Sequence, residues 1–296
     1  MNLVKDLKQL KCGKVETIML KNYTTYKVGG KTVMIVPEDT KRLIKVIKYL
    51  NDNEIKFKIL GNGSNLIFGS AGYDGVIIKL SEFKNLKISG TTVTVGAGYS
   101  LIRLSNKMCN LGFVGLDFAT GIPGTVGGAV YMNAGAYKSD MGYVVKSIKV
   151  LTPDLEVKTM YNCELDFHYR TSFLQKNKGY ICLEATIQLR KGDRALILEV
   201  INDRKKRRQE SQPLEYPSAG SVFRNPEGDY AGRLIEEIGY KGKSIGGAKV
   251  SEKHANFIIN TGNATGEDIK KLIAEIKDKI KEKYNIDLKV EQEIVE

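Results

Sequence analysis

Gly121-Ile122-Pro123-Gly124-Thr125-Val126-Gly127-Gly128-Ala129, with Asn133-Ala134-Gly135 just beyond it, is the densest run of glycine in the chain. Glycine at this spacing lets a backbone approach a ligand closely and turn its N–H groups toward phosphate oxygens, and such a segment can open into a helix N-terminus. Alone it could equally be a tight structural turn. A second stretch, Gly61-Asn62-Gly63-Ser64-Asn65, has the same character. Two phosphate-cradling loops in one domain suit a ligand with a pyrophosphate, whose charges need many donors.

Working outward, Thr32 to Val36 reads as a strand. Glu38 to Leu50 reads as a helix, with Leu43, Ile44, Ile47 and Leu50 at helical spacing, and Phe57 to Leu60 as the next strand. This β-α-β unit delivers the chain straight into Gly61. Val76 to Leu80 is a further strand, Leu86–Ser89 and Val93–Gly96 form a hairpin around Gly90-Thr91, and Ser100 to Leu111 is helical. Past the glycine-dense segment, strands are expected at Val145 to Leu151, Leu155 to Thr159 and Tyr180 to Arg190.

Arg194 to Gln209 reads as a connecting helix, stopped by Glu210-Ser211-Gln212-Pro213. Beyond it the pattern predicts a helix over Tyr230 to Ile238, short strands near Ala248 and Phe257 to Ile259, and a long amphipathic helix. That helix is capped by Thr265, presents Ile269, Leu272, Ile273, Ile276 and Ile280 on one face, and ends before Asn285. The expected division is an α+β domain over 1–193 followed by a smaller α+β domain over 194–296, with a tail near 286–296 returning to the active site.

Other signatures fail. Gly61–Leu66 and Gly96–Leu101 lack the third glycine of a dinucleotide fingerprint, so a simple Rossmann unit is disfavoured. Gly242-Lys243-Ser244 ends like a P-loop, but the upstream glycine position is Glu237. His168 and His254 have no companions at metal-ligand spacing, so no metal is expected. The four cysteines, Cys12, Cys109, Cys163 and Cys182, show no pairing pattern and read as reduced thiols. No apolar run approaches the roughly 20 residues that span a bilayer, and a cytoplasmic protein is expected.

The net charge of +12 and pI near 9.3 invite a nucleic-acid reading, but only Arg204-Lys205-Lys206-Arg207-Arg208 is a compact basic cluster. Elsewhere Lys alternates with acidic residues on solvated helix faces. A positive field equally attracts anionic small molecules such as dinucleotides and UDP-sugars.

Taken together, Asn22-Tyr23-Thr24-Thr25-Tyr26-Lys27-Val28-Gly29-Gly30, the two glycine loops, Tyr169-Arg170, Gly220-Ser221-Val222-Phe223-Arg224-Asn225-Pro226 and the end of the chain resemble the UDP-N-acetylenolpyruvoylglucosamine reductase family, in order and over nearly the full length. The resemblance implies a vanillyl-alcohol-oxidase/PCMH-type FAD-binding domain followed by a substrate-binding domain. It also implies noncovalent FAD, NADPH as reductant, and UDP-N-acetylglucosamine enolpyruvate as substrate in peptidoglycan precursor synthesis. No nucleic acid, membrane or obligate protein partner is implied.

By the same resemblance Gly61, Asn62, Gly63, Ser64 and Asn65, with Gly121, Ile122, Pro123, Gly124, Thr125, Gly127, Gly128 and Ala129, would hold FAD. Arg170 would steady the substrate carboxylate, a task suited to a permanently charged, fork-shaped donor. Ser221 would deliver a proton to the α-carbon, and Glu291 would assist at the carboxylate when protonated, a state that burial favours. Glu293, taken to share a strand face with Glu291, is the alternative for that last role. Tyr169, Arg224 and Asn225 would bind substrate, Arg224 standing where a lysine is frequent. Phe173 to Tyr180 is too short for the tyrosine-bearing loop of one branch, so the chain resembles the branch without it. Two other readings stay open: a different FAD oxidoreductase on the same scaffold, with Ser221 and Glu291 structural, and a basic nucleotide- or RNA-binding module.

Overall fold

The computed structural model describes residues 3–295. The chain divides into two compact units, one of 1–16, 33–62 and 75–205, the other of 17–32, 63–74 and 206–296.

The first unit contains a four-stranded sheet ordered Gly13–Met19, Lys31–Pro37, Val76–Lys79, Phe57–Leu60. Val76–Lys79 pairs in parallel with both of its neighbours. Parallel strands need a crossover, supplied between Lys31–Pro37 and Phe57–Leu60 by the helix Thr40–Asp52. Its N-cap Asp39 accepts the Arg42 amide, a contact worth about 1 kcal/mol, and its apolar stripe buries Leu43, Val46, Ile47 and Leu50. Val76, Ile77 and Ile78 are all buried, as expected of a strand covered on both faces.

A five-stranded antiparallel sheet follows, ordered Val157–Tyr161, Val145–Leu151, Ile181–Gln188, Thr92–Gly96, Leu86–Ser89. The predicted hairpin closes at Gly90, whose φ of +59° explains the glycine. The Val157–Tyr161 strand starts two residues later than its sequence suggests. Leu155 takes a left-handed φ of 64° in a turn closed by Thr152, which delays pairing. The helices Leu101–Asn110 and Val126–Met132 join the same core, with Leu101, Leu104, Met108, Val126, Ala129 and Val130 buried against residues of both sheets.

The second unit is built on the helix Gly266–Tyr284. Thr265 and Asp268 form a reciprocal cap at its start, Asn285 ends it at φ 56°, and the five predicted isoleucine and leucine positions are all buried. It packs on the helix Ala231–Glu237 and on an antiparallel sheet of Ser244–Ile245, Ala248–Val250 and Ile258–Asn260. Glu293–Val295 pairs in parallel with Leu66–Phe68, and the Asn260 amide donates to the Tyr26 carbonyl at 2.8 Å.

These last contacts correct the domain expectation. A single crossing at 193/194 does not describe the chain, because residues within 17–32 and 63–74, among them Tyr26, Asn65, Ser70 and Leu66–Phe68, pair with residues beyond 206. Among the described residues no helix is long and apolar enough to cross a membrane.

Candidate active site

In the first unit the glycine-dense segment bends into the helix Val126–Met132, with Thr125 as N-cap accepting the Gly128 amide at 3.3 Å. Its glycines differ in purpose. A side chain on Gly127 would stand 2.8 Å from the Ala97 Cβ, so glycine there permits helix packing. At the exposed Gly128, an added Cβ would meet only the Thr125 hydroxyl, at 3.4 Å.

Gly61 lies against the same segment, since a Cβ on it would come within 2.8 Å of the Thr125 hydroxyl. Lys79 donates to the Gly61 carbonyl at 2.6 Å, and burial pushes its ammonium below the usual lysine range. Among the described residues the amides of Gly61, Asn62, Gly124 and Thr125 donate no backbone hydrogen bond. None of these four residues is buried, so their amides are open to an outside acceptor, and the cluster fits a group rich in acceptor oxygens such as the FAD diphosphate.

The rest of the 61–65 loop belongs to the other unit. Gly63 has φ +61°, and a Cβ there would strike the Tyr23 carbonyl at 2.3 Å. Ser64 is half-buried. Asn65 donates to the Glu291 carbonyl at 3.0 Å and so anchors the end of the chain.

Arg170 stands at the far end of the Val126–Met132 helix from Thr125. It occupies a tight turn closed by mutual amide–carbonyl bonds between His168 and Thr171, and its φ of 54° is uncommon for a residue with a side chain. The surroundings fix this turn. Asn133, buried and left-handed at the helix C-cap, donates to the His168 carbonyl at 2.9 Å and accepts the Gly142 amide. Ser172 donates to the Tyr131 carbonyl at 2.7 Å, and the Arg170 guanidinium donates to the Gly135 carbonyl at 2.7 Å. That guanidinium lies 5.1 Å from the centre of the exposed Tyr169 ring. Backbone strain of this kind gathers at functional sites when the neighbours over-determine it. One helix of seven residues, about 10 Å long, thus carries the glycine loop at one end and the arginine turn at the other.

In the second unit, Ser221 follows Gly220, whose φ is +75° and around which an added Cβ would meet nothing. The glycine serves conformation there. The segment is clamped on both sides. Ser221 bridges Phe257, Val222 donates to the Asn256 carbonyl, and Phe223 bridges Val290. The Glu291 amide donates to the Val222 carbonyl at 2.8 Å, which brings Glu291 alongside the serine turn.

Glu293 does not share its setting: it opens the Glu293–Val295 strand and donates to the Asn65 carbonyl. The expectation that Glu291 and Glu293 lie on one strand face therefore fails, because Glu291 precedes that strand and pairs with a different neighbour. Arg224 is half-buried, its amide donating to the Lys289 carbonyl. The Asn225 side-chain oxygen accepts the Ala231 amide at 3.1 Å, at the start of the next helix.

The sequence signals no individual role for Lys79, Gln292, Asn133 or Tyr26, although the last two lie within the stretches quoted above. Lys79 ends an otherwise apolar strand and Gln292 is a polar residue that ends up buried, but neither signal is distinctive without the fold. His168 pairs with Asp166 at 2.8 Å. Burial pushes the His254 ring below the usual histidine range, and its Nδ1 accepts the Asn256 amide. Among the described residues no three His, Cys, Asp or Glu cluster to hold a metal ion.

Mixed sheets with donor-rich glycine loops in one unit, and a small α+β unit presenting a serine turn in the other, define a two-part flavin-dependent oxidoreductase. Residues 32–161 match an FAD binding domain family, and residues 212–295 match the C-terminal domain of UDP-N-acetylenolpyruvoylglucosamine reductase. The reductase of that name from Bacillus licheniformis is 46% identical, covering 99% of this chain and 98% of its own length. That from Bacillus subtilis is 43% identical over the same shares. The crystal structure of the Thermus caldophilus enzyme covers 96% of this chain and 99% of its own, with a TM-score of 0.84 and 34% identity. The chain belongs to the UDP-N-acetylenolpyruvoylglucosamine reductase family.

Proposed function

We infer that the protein uses FAD and NADPH to reduce UDP-N-acetylglucosamine enolpyruvate to UDP-N-acetylmuramate, a step of peptidoglycan precursor synthesis in the cytoplasm. In this reading the first unit holds FAD, chiefly through Gly61, Asn62 and the Gly121–Ala129 segment; Arg224 and Asn225, of the second unit, and Tyr169, of the first, are the residues assigned to the UDP-sugar. No nucleic acid or membrane takes part. The observation that carries the reading is the Val126–Met132 helix, which bears donor-rich glycine backbone at one end and a strained, over-determined arginine at the other.

When bound, FAD reduced by NADPH supplies the hydride. The protein's own residues handle the charge and the proton. Addition of hydride to the substrate's methylene carbon breaks the C=C π bond and sends its electron pair onto the α-carbon and the adjacent carboxylate. Arg170 stabilises that carboxylate with a cationic, fork-shaped set of donors. The Ser221 hydroxyl gives its proton to the α-carbon, forming the second C–H bond, and regains one from solvent. Serine is a weak acid, but its acceptor is a strongly basic enolate equivalent. Glu291, protonated, donates to the carboxylate.

Anaerobic reduction of the bound flavin by NADPH, followed by addition of the enolpyruvyl substrate, tests this directly. Return of the oxidised flavin spectrum together with formation of UDP-N-acetylmuramate is expected. A flavoprotein that stays reduced would sink the substrate assignment.

A further inference from the structure

Gln292 is buried, and its side-chain amide donates toward three successive carbonyls, those of Ala219, Gly220 and Ser221, at 3.1, 3.2 and 3.3 Å. Its other end accepts the Tyr26 hydroxyl at 3.0 Å. Tyr26 has no exposed surface, and its backbone carbonyl accepts from Asn260. Burial also raises its phenol well above the ordinary range, so it remains a donor at any working pH.

Three carbonyls turned toward one point repel one another unless a donor sits among them. A primary amide brings two N–H groups and no charge, and here they are shared among the three oxygens. The left-handed Gly220 makes this turn possible, and Gln292 holds it. Meanwhile the Ser221 hydroxyl itself makes no hydrogen bond among the described residues. Its direction therefore follows from the backbone it hangs on.

We propose that the buried Gln292–Tyr26 pair is the positioning device for Ser221, fixing the turn so that the hydroxyl delivers its proton to one face of the substrate's α-carbon. This rests on the reading of Ser221 as proton donor. It gives Gln292 a function separate from that of its neighbour Glu291, which it also tethers through the chain. The α-carbon becomes a stereocentre on protonation, so placement of the donor is written into the product. With the turn released, water competes with the serine and approaches either face.

The test uses flavin-loaded Gln292→Met, which keeps volume and removes the donor, together with Tyr26→Phe and Ser221→Ala. Reduction by NADPH should run at the parent rate in Gln292→Met. Reoxidation by UDP-N-acetylglucosamine enolpyruvate should slow about 10- to 100-fold, the scale of a displacement near 1 Å. The solvent deuterium isotope effect on reoxidation should rise, and the second epimer of the product should appear, neither of which a loss of stability alone would cause. Tyr26→Phe should shift the same quantities less.

A Gln292→Met protein that holds flavin, reoxidises at the parent rate and forms a single epimer would overturn the proposal. Should that variant fail to hold flavin, Tyr26→Phe decides by the same criteria. Ser221→Ala separates the levels. If it is slow while Gln292→Met is normal, the positioning idea alone fails. If Ser221→Ala itself reoxidises normally, the proton-donor reading fails and takes the positioning idea with it.

Discussion

Arg204 Nη1 lies 2.6 Å from Asp117 Oδ2, with each side chain about a fifth exposed. The guanidinium also stacks over the Tyr137 ring at 4.5 Å, and the Tyr137 hydroxyl donates to the Arg204 carbonyl. The pair ties the helix Arg194–Ser211 to the turn Asp117–Ala119 that leads into the glycine segment. Arg204 thus stands apart from the basic cluster that contains it, whose members Lys205, Lys206 and Arg207 are exposed.

Arg204→Gln should destabilise the protein by about 1–3 kcal/mol, because it leaves a half-buried carboxylate without its charge partner. Thermal unfolding measures this. Lys205→Gln and Lys206→Gln should leave melting, flavin content and turnover nearly unchanged, and a large loss in either would misplace the cluster. Burial would raise the Asp117 pKa, but the Gly115 amide and Arg204 outweigh it and hold the carboxyl below its usual range. The stability this provides is full above the unfolded value near 3.9 and is lost as pH falls through the folded one. Arg204→Gln should therefore narrow its gap from the parent as the medium is acidified below about pH 4.

Gly124→Val should weaken FAD retention, since a branched side chain restricts the backbone and fills space beside amides assigned to the diphosphate. The Leu101 amide bonds the Gly124 carbonyl at 3.0 Å, so the loop's path has an independent anchor. Flavin content after gel filtration gives the answer. A folded variant with full occupancy would remove this loop from the cofactor site.

Ser221→Ala should leave reduction by NADPH near its normal rate, because that half-reaction delivers no proton to substrate carbon. Reoxidation should slow by roughly 10²- to 10⁴-fold, the usual scale for a positioned general acid. Arg170→Ala should slow reoxidation and also weaken substrate binding, since its carboxylate contact precedes hydride transfer. Rapid-mixing traces resolve the two half-reactions. Equal slowing of both in Ser221→Ala would reduce the serine to a turn residue.

Cysteine alkylation at pH 8 should modify one thiol in the folded protein. Cys163 is exposed while the other three are buried, and burial pushes Cys109 and Cys182 up to about 12. All four should react in denaturant. Rapid labelling of Cys109 in the native protein would show the Asp117–Arg204 region opening.

What the sequence made legible was what local periodicity and capping govern. The helix Gly266–Tyr284 is readable from Thr265 to Asn285, because its cap, its apolar stripe and its left-handed stop are all near neighbours in the chain. The hairpin at Gly90 is readable for the same reason. The pairing of Leu66–Phe68 with Glu293–Val295 is not, since three apolar residues carry no period and the partner strand lies far away in sequence. The site divides along the same line. The glycine loops declare themselves by composition, whereas Arg170 and Ser221 stand out as candidates only through resemblance. Nothing in Tyr169-Arg170 foretells that Asn133 and Ser172 will lock that turn. Gln292 gives no local signal because its three carbonyl partners lie more than seventy residues earlier.

The parallel pairing of residues 66–68 with 293–295 also sets a timetable. A ribosome releases Tyr26 and Leu66–Phe68 long before their partners exist, and Asn65 must wait for Glu291 across 226 positions. During that interval apolar surface of Tyr26, Val28 and Ile67 has no companion within its own core, which is otherwise made of residues from Ala219 onward. Such delayed, long-range closure is slow and exposes a nascent chain to aggregation. Removal of only the last few residues of the 293–295 strand should therefore reduce soluble yield more than the few hydrogen bonds deleted would suggest, because it leaves early-made segments permanently without the strand they await.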